Sequence, residues 1–372
     1  MFHVTFSKMI SPVVTLPSPH DGGGITSLGM NESGDLLCCS SDDNTASIWD
    51  VRAPASPCGI LAGHRETVNF VSFLSSDSNY IFTSSDDRTV RLWDRRRQAT
   101  IRAWRGFADG VNCCRVNNNG RTLVSACDDG LVYCHEFGGG TTFTLSDACD
   151  RFMAAPQTVN DLIVTTLQGG TEVIITASEE GGVRSWLASS SEGRATSGVP
   201  DHFDVPGEAT EGDVDEAGAA ATDRLISSFD EINRPVNHIL RFDSMLFCAA
   251  AEAVFCIPWN KSRGIVADVS AYADDPAGAP EAMALVGHTD FIRGLACLDH
   301  ERLLTVSDDH HLMIWNTLTG EAISRNAVHE TEIMAMTTDG RQDDDAEGFR
   351  CPRIVATGGL DGIVKVWQLN QS

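Results

Sequence analysis

His310 and His311 stand beside Asp308 and Asp309, side chains of the types that hold divalent metals. Two histidines at adjacent positions on an exposed turn diverge, however, so the segment reads as a turn and not as a metal centre. The run Gly138, Gly139, Gly140, Thr141, Thr142 comes nearest to a phosphate-binding loop. It lacks the preceding Gly and the Lys that such a loop uses to reach phosphate oxygens. Neither a Gly-x-Ser-x-Gly elbow nor a His-Glu-x-x-His helix occurs. The 12 cysteines include no C-x-x-C pair, and Cys38–Cys39 and Cys113–Cys114 are adjacent, which suits core thiols better than disulfides. That usage predicts a reducing compartment, cytoplasm or nucleus. No acid, base and nucleophile converge, so the sequence predicts a non-enzymatic protein without metal or cofactor.

The elements that carry these residues must be numerous and small. With 372 residues the chain exceeds what one hydrophobic core usually serves, and 42% hydrophobic content excludes wholesale disorder. Acids number 52 against 27 bases, a net charge of −25, which argues against direct nucleic-acid binding, since phosphate contacts need a basic stripe. No apolar run is long enough for a membrane helix, and the N-terminal residues do not read as a secretory signal. Arginines do concentrate once, at Arg88, Arg91, Arg95, Arg96, Arg97, Arg102 and Arg105. With few aromatic residues free to stack on bases, that cluster suits an acidic protein surface better than RNA.

Internal repetition organises the chain. LCCSSDDNTASIWD (37–50) and IFTSSDDRTVRLWD (81–94) align without gaps, and the frame recurs at 123–136, 174–187, 303–316 and 355–368. Each copy is a β-rich run, an acidic or Gly turn, and an alternating run ending near an aromatic, the pattern of a hairpin. A degenerate seventh copy, FCAAAEAVFCIPW (247–259), has a turn one residue short. Seven strand openings precede the seven hairpins: Ile25-Thr26, Val68-Asn69, Val111-Asn112, Val159-Asn160, Val236-Asn237, Ile292-Arg293 and Ile333-Met334.

With Gly63-His64, Gly287-His288, Trp49-Asp50 and Trp93-Asp94, these repeats resemble the WD40 family. The resemblance implies an all-β, seven-bladed β-propeller of four antiparallel strands per blade around a channel. It predicts blades at about 20–62, 63–105, 106–148, 149–229, 230–286, 287–325 and 326–368, in one domain spanning 1–372. Residues 13–16 should complete the last blade and so remove a free sheet edge. The family further implies a buried His–Ser/Thr–Asp–Trp hydrogen-bond chain in the best-formed blades. The matching sets are His64, Thr83, Asp87 and Trp93; His288, Thr305, Asp309 and Trp315; and His329, Thr357, Asp361 and Trp367. His20 occupies the same position in blade 1. Blades 3 and 5 depart from the pattern, with His135 in place of Trp and with Glu252 or Ala253 where the turn acid belongs.

Propeller topology puts the d–a and b–c loops on the top face and the others on the bottom. Three acidic insertions, 188–220 (predicted disordered), 268–282 and 339–349, then map to the bottom. The residue after each opening Val or Ile reaches the channel mouth on top: Asn69, Asn112, Asn160 and Asn237 in four consecutive blades, with Arg293 further round. Arg65, Trp104, Phe107 and Phe291 lie in adjoining top loops, and Trp104 and Phe107 suit partner anchoring if exposed. The resemblance therefore predicts a scaffold that docks peptides or proteins on its top face, a monomeric propeller within a hetero-complex, without membrane association. An alternative rests on Trp49-Asp50-Val51-Arg52 and Trp93-Asp94-Arg95-Arg96. Both read W-D-x-R, resembling the signature by which WD40 substrate receptors dock on cullin-4 ubiquitin ligases through residues such as Arg52 and Arg96.

Overall fold

The computed structural model describes residues 10–17, 20, 22–117, 120–136, 149–167, 170–188, 224–260, 264–265, 283–339 and 351–369. They form seven antiparallel sheets, each with its strands in the order a-b-c-d from the axis outward. Blade 1, for example, runs Ile25–Met30, Leu36–Ser41, Thr45–Asp50 and Gly59–Ala62. The a strands of successive blades touch one another all the way round, including blade 7 to blade 1, so the ring is closed. Closure is made by Ile10–Leu16, a longer strand than 13–16, which pairs antiparallel with Val364–Leu369 as the outermost strand of blade 7. Leu16 is fully buried there against Val364 and Val366.

Alternation decides where the core sits. On each inner strand the apolar side chains fall on both sheet faces, and each face packs against a neighbouring blade. The result is seven apolar clusters, one per blade interface. Six are anchored by the closing Trp of a c strand: Trp49, Trp93, Trp186, Trp259, Trp315 and Trp367. The interface between blades 2 and 3 lacks one because blade 3 has His135 there. Its volume is filled instead by Trp104, Phe107 and Tyr133.

Every a–b pairing carries a register shift at the same place, the second residue of strand a. Thr26, Asn69, Asn112, Asn160, Asn237, Arg293 and Met334 are thus bulged residues, and a bulge re-aims its side chain out of the regular pleat. Seven bulges in register turn this position toward the channel mouth.

Blade 5 departs from the expected plan. Its b–c turn is the two residues Ala251 and Glu252, with Ala250 pairing directly to Ala253. Its outer edge is split: Gly264–Ile265 pairs with Trp259 and Asn260, and Met283–Val286 pairs with Ala253–Cys256. The insertion expected between strands c and d of this blade therefore interrupts the edge strand itself. Apart from Ala188 and Asp339, the three acidic insertions lie outside the described residues.

Candidate functional site

The site rests on turns that are held by side-chain hydrogen bonds. In blade 2, Trp93 Nε1–H donates to Thr83 Oγ1 at 2.8 Å, and Thr83 Oγ1 lies 2.7 Å from His64 Nε2. His64 Nδ1 is 2.9 Å from Asp87 Oδ2. A hydroxyl that accepts from Trp has its own proton to give to Nε2, so His64 carries its proton on Nδ1 and donates it to Asp87. Burial pushes the Asp87 carboxyl up, but the hydrogen bonds from His64 and Thr89 outweigh it and hold the group well below the ordinary carboxylate range. Blade 6 repeats the arrangement with Trp315, Thr305, His288 and Asp309 at 2.9, 2.7 and 2.9 Å. Asp87 and Asp309 also accept the backbone N–H of Arg65 and Thr289, each at 3.1 Å, which ties the d–a loop to the b–c turn.

Two blades differ from the sequence expectation. In blade 7 Trp367 and His329 both bond Thr357 Oγ1, at 3.0 and 2.8 Å, but Asp361 is not joined to them. Its carboxylate accepts Ile363 N–H at 3.0 Å within its own turn, and His329 Nδ1 has no hydrogen-bond partner. Burial first, then the neighbouring Lys365 charge, push the His329 imidazole down to about 4. Blade 1 gains a chain that the sequence did not reveal. Cys39 occupies the strand-b hydroxyl position, and its cross-strand partner Ser47 supplies the oxygen instead. Ser47 Oγ lies 3.0 Å from both His20 Nε2 and Trp49 Nε1, while His20 Nδ1 is 2.8 Å from Asp43.

At the channel mouth the bulged residues meet the first residue of each b–c turn. Asn69 Nδ2 donates to Asp86 Oδ1 at 2.5 Å and to the Val111 carbonyl of the next blade at 3.2 Å. Asn112 does the same to Asp128 and Val159 at 2.8 and 3.1 Å. Asn160 donates to Glu179 and Val236, both at 3.1 Å. These amides are stitches between blades, so their nitrogens are committed and only Oδ1 is left to offer outward. Thr26 makes the comparable bond from its hydroxyl to the Val68 carbonyl. Arg293 grips Asp308 through Nε and Nη2 at 3.0 and 2.7 Å. Asn237 breaks the series: its turn partner is Ala251, and Nδ2 has no hydrogen-bond partner.

The surrounding loops sort into exposed and buried groups. Arg65 is exposed, and Phe291 is 40% exposed with the Arg293 guanidinium 5.4 Å from its ring. Trp104 and Phe107, by contrast, are only 3% and 5% exposed and cannot anchor a partner. They are drawn inside by the missing Trp of blade 3, where Phe107 packs 4.9 Å from Tyr133 and 5.4 Å from His135. Between blades 2 and 3 a pocket of about 240 Å³ is lined by Glu66, Asp86, Asp87, Asp109 and Asp128, with Arg88 as its one base. Burial raises the Asp128 carboxyl, helped by the Asp109 and Asp86 charges and opposed by the Asn112 bond.

Below the mouth, the central channel encloses about 1300 Å³ and is lined by all seven a strands. Its wall contains a charged set that repeat matching missed. Asp161, buried, accepts Leu162 N–H and Ile239 N–H at 2.9 and 3.1 Å and an Arg115 N–H at 3.3 Å. His238 Nδ1 lies 3.5 Å from the same carboxylate. The signal was present in the third residue of each a strand, where only blade 4 carries an acid. On the bottom face, Arg52 and Arg96 are 71% and 57% exposed at the side chain, each held by the Asp two residues before it. Among the described residues no group of His, Cys, Asp or Glu is arranged to hold a metal. His311 Nδ1 instead faces the Asp309 carbonyl at 2.5 Å. Residues 138–142 lie outside the described residues.

The WD domain, G-beta repeat family matches residues 10–50, 55–94, 98–136 and 281–316. A search of curated proteins found no match to the chain. The matched segments cover hairpins of blades 1, 2, 3 and 6, and the strand order and closed ring extend the same unit to the other three. The chain carries WD40 repeats and folds as a seven-bladed β-propeller.

Proposed function

We propose that the protein is a non-enzymatic scaffold that docks peptides or proteins at the mouth of its channel. WD40 propellers in general mediate protein–protein interactions. The observation that carries the reading here is the ring of seven bulged residues at the top of a closed, stitched channel. Groups already held in place lose little freedom on binding, so contact energy is not spent on ordering loops. We also place the protein in the cytoplasm or nucleus, as one propeller within a hetero-complex; its 12 free cysteines, most of them buried, support a reducing compartment.

A photo-crosslinking amino acid substituted at Phe291, on top, and separately at Leu318, an exposed residue of a bottom-face turn, tests the reading in cells. Crosslinks to partner proteins should form from Phe291. Crosslinks from Leu318 alone would overturn it. A second reading, a substrate receptor for a cullin-4 ubiquitin ligase, draws on the matched exposure and Asp-held pose of Arg52 and Arg96. Co-purification of the ligase adaptor that survives Arg52→Ala with Arg96→Ala removes that reading.

A further inference from the structure

Blade 5 differs from the other Asn-bearing blades in one polar group at the mouth. Asn237 Nδ2 is without a hydrogen-bond partner, whereas Nδ1 of the next residue, His238, faces the Asp161 carboxylate at 3.5 Å. The bulge at Asn237 brings both side chains to the channel, which they line together with Arg115 and Arg293. Both arginines are already paired, to Asp161 and Asp308, so the nearest acids are neutralised before any ligand arrives. The molecule itself shows what an amide in this position takes. In blades 2, 3 and 4 the complement is a carboxylate from the blade's own b–c turn, 2.5 to 3.1 Å away. Blade 5 has Ala251 in that place, held by its carbonyl to Ile292 N–H at 2.8 Å, and its φ of 50° is one that Asp also adopts.

An amide nitrogen without a bond is shielded where it stands, yet it turns about its terminal torsion without breaking a hydrogen bond. Asn69, Asn112 and Asn160 would each lose two. Resting on the docking reading above, we propose that the notch at Ala251 receives an Asp or Glu side chain of the docked peptide. Its carboxylate accepts from Asn237 Nδ2 and so supplies in trans the acid that this turn position lacks in blade 5. A hydrogen bond to a charged group left unmade at a desolvated site costs about tenfold or more in affinity.

The probe is a phage-displayed library of random short peptides, panned on wild-type protein. Peptides that dock at the mouth are recognised by loss of binding to Arg65→Ala with Phe291→Ala. Those peptides should share an acidic residue at one fixed position. Asn237→Ala and Ala251→Asp should both weaken them about tenfold or more. Ala251→Asp is the sharper variant, because it restores the internal acid, keeps or raises the melting temperature, and still closes the notch. Mouth-binding peptides with no acidic position, or indifferent to Ala251→Asp, overturn the inference while docking at the mouth stands. An absence of any peptide sensitive to the Arg65 and Phe291 changes overturns both.

Discussion

Blades 2 and 5 are built on one plan and finished differently. Blade 2 has the full His64–Thr83–Trp93 chain ending on Asp87, a turn whose Asp86 bonds Asn69, and an unbroken outer strand. Blade 5 has none of these polar fastenings, a two-residue turn and an edge strand in two pieces. Yet both close with a buried Trp, Trp93 and Trp259, packed into an interblade cluster. The difference separates two jobs. Apolar packing between blades makes the ring, whereas the hydrogen-bond chains fix the turns, and where they are missing buried polar groups are left without hydrogen bonds.

That separation has consequences of graded size. Trp93→Ala and Trp259→Ala should each cost about 3–5 kcal/mol in urea unfolding, despite the absent fastenings in blade 5, since both leave a large core void. A much smaller loss at Trp259 breaks the comparison. Trp104→Ala belongs to the same class, because that ring replaces the missing Trp of blade 3. Next in size, Thr83→Val strands the Trp93 N–H and the His64 ring nitrogen and should cost about 2–4 kcal/mol, one to three for each buried group left unsatisfied less some relaxation. Asn112→Ala, which removes one bond within blade 3 and one to blade 4, should cost about 1–3 kcal/mol, whereas Asn237→Ala should stay within about 0.5 kcal/mol of wild type.

The smallest effect is a pH slope from the incomplete chain of blade 7. The His329 imidazole is pushed down to about 4 from an ordinary 6.5, so it stays neutral in the folded state while the unfolded chain takes up a proton. Unfolded protein binds more protons between these values, so stability falls as pH drops from about 6.5 to about 4 and levels off below. Asp87, whose folded value is depressed, adds stability above the ordinary carboxylate range that is lost only at lower pH. Urea midpoints for His329→Gln should show a shallower slope between pH 4 and pH 7 than wild type; an unchanged slope assigns the titration elsewhere.

The ring was legible in the sequence because its determinants are local. Each hairpin carries its own turn acid and closing aromatic, and the N-terminal strand was readable from its apolar pattern and from His20 in register with blade 1. What escaped depends on neighbours. Ser47 took over a hydroxyl role because Cys39 lies across the ladder from it, a pairing visible only once strands b and c are aligned. Trp104 looked like a surface anchor until the interface that it fills was known to lack a Trp. Asp361 matches the repeat but spends its carboxylate on its own turn. The asparagines line the channel, but the stitching of Asn69, Asn112 and Asn160 to the next blade joins residues far apart in sequence.

Hydrogen exchange on the native complex, compared with the isolated propeller, tests the docking claim most directly. Protection is predicted in the top loops at Arg65–Thr67, Asp86–Arg88 and Thr289–Phe291 and at Leu360, with the bottom turns Arg95–Gln98 and Thr317–Thr319 unchanged. Protection confined to those bottom turns would contradict it.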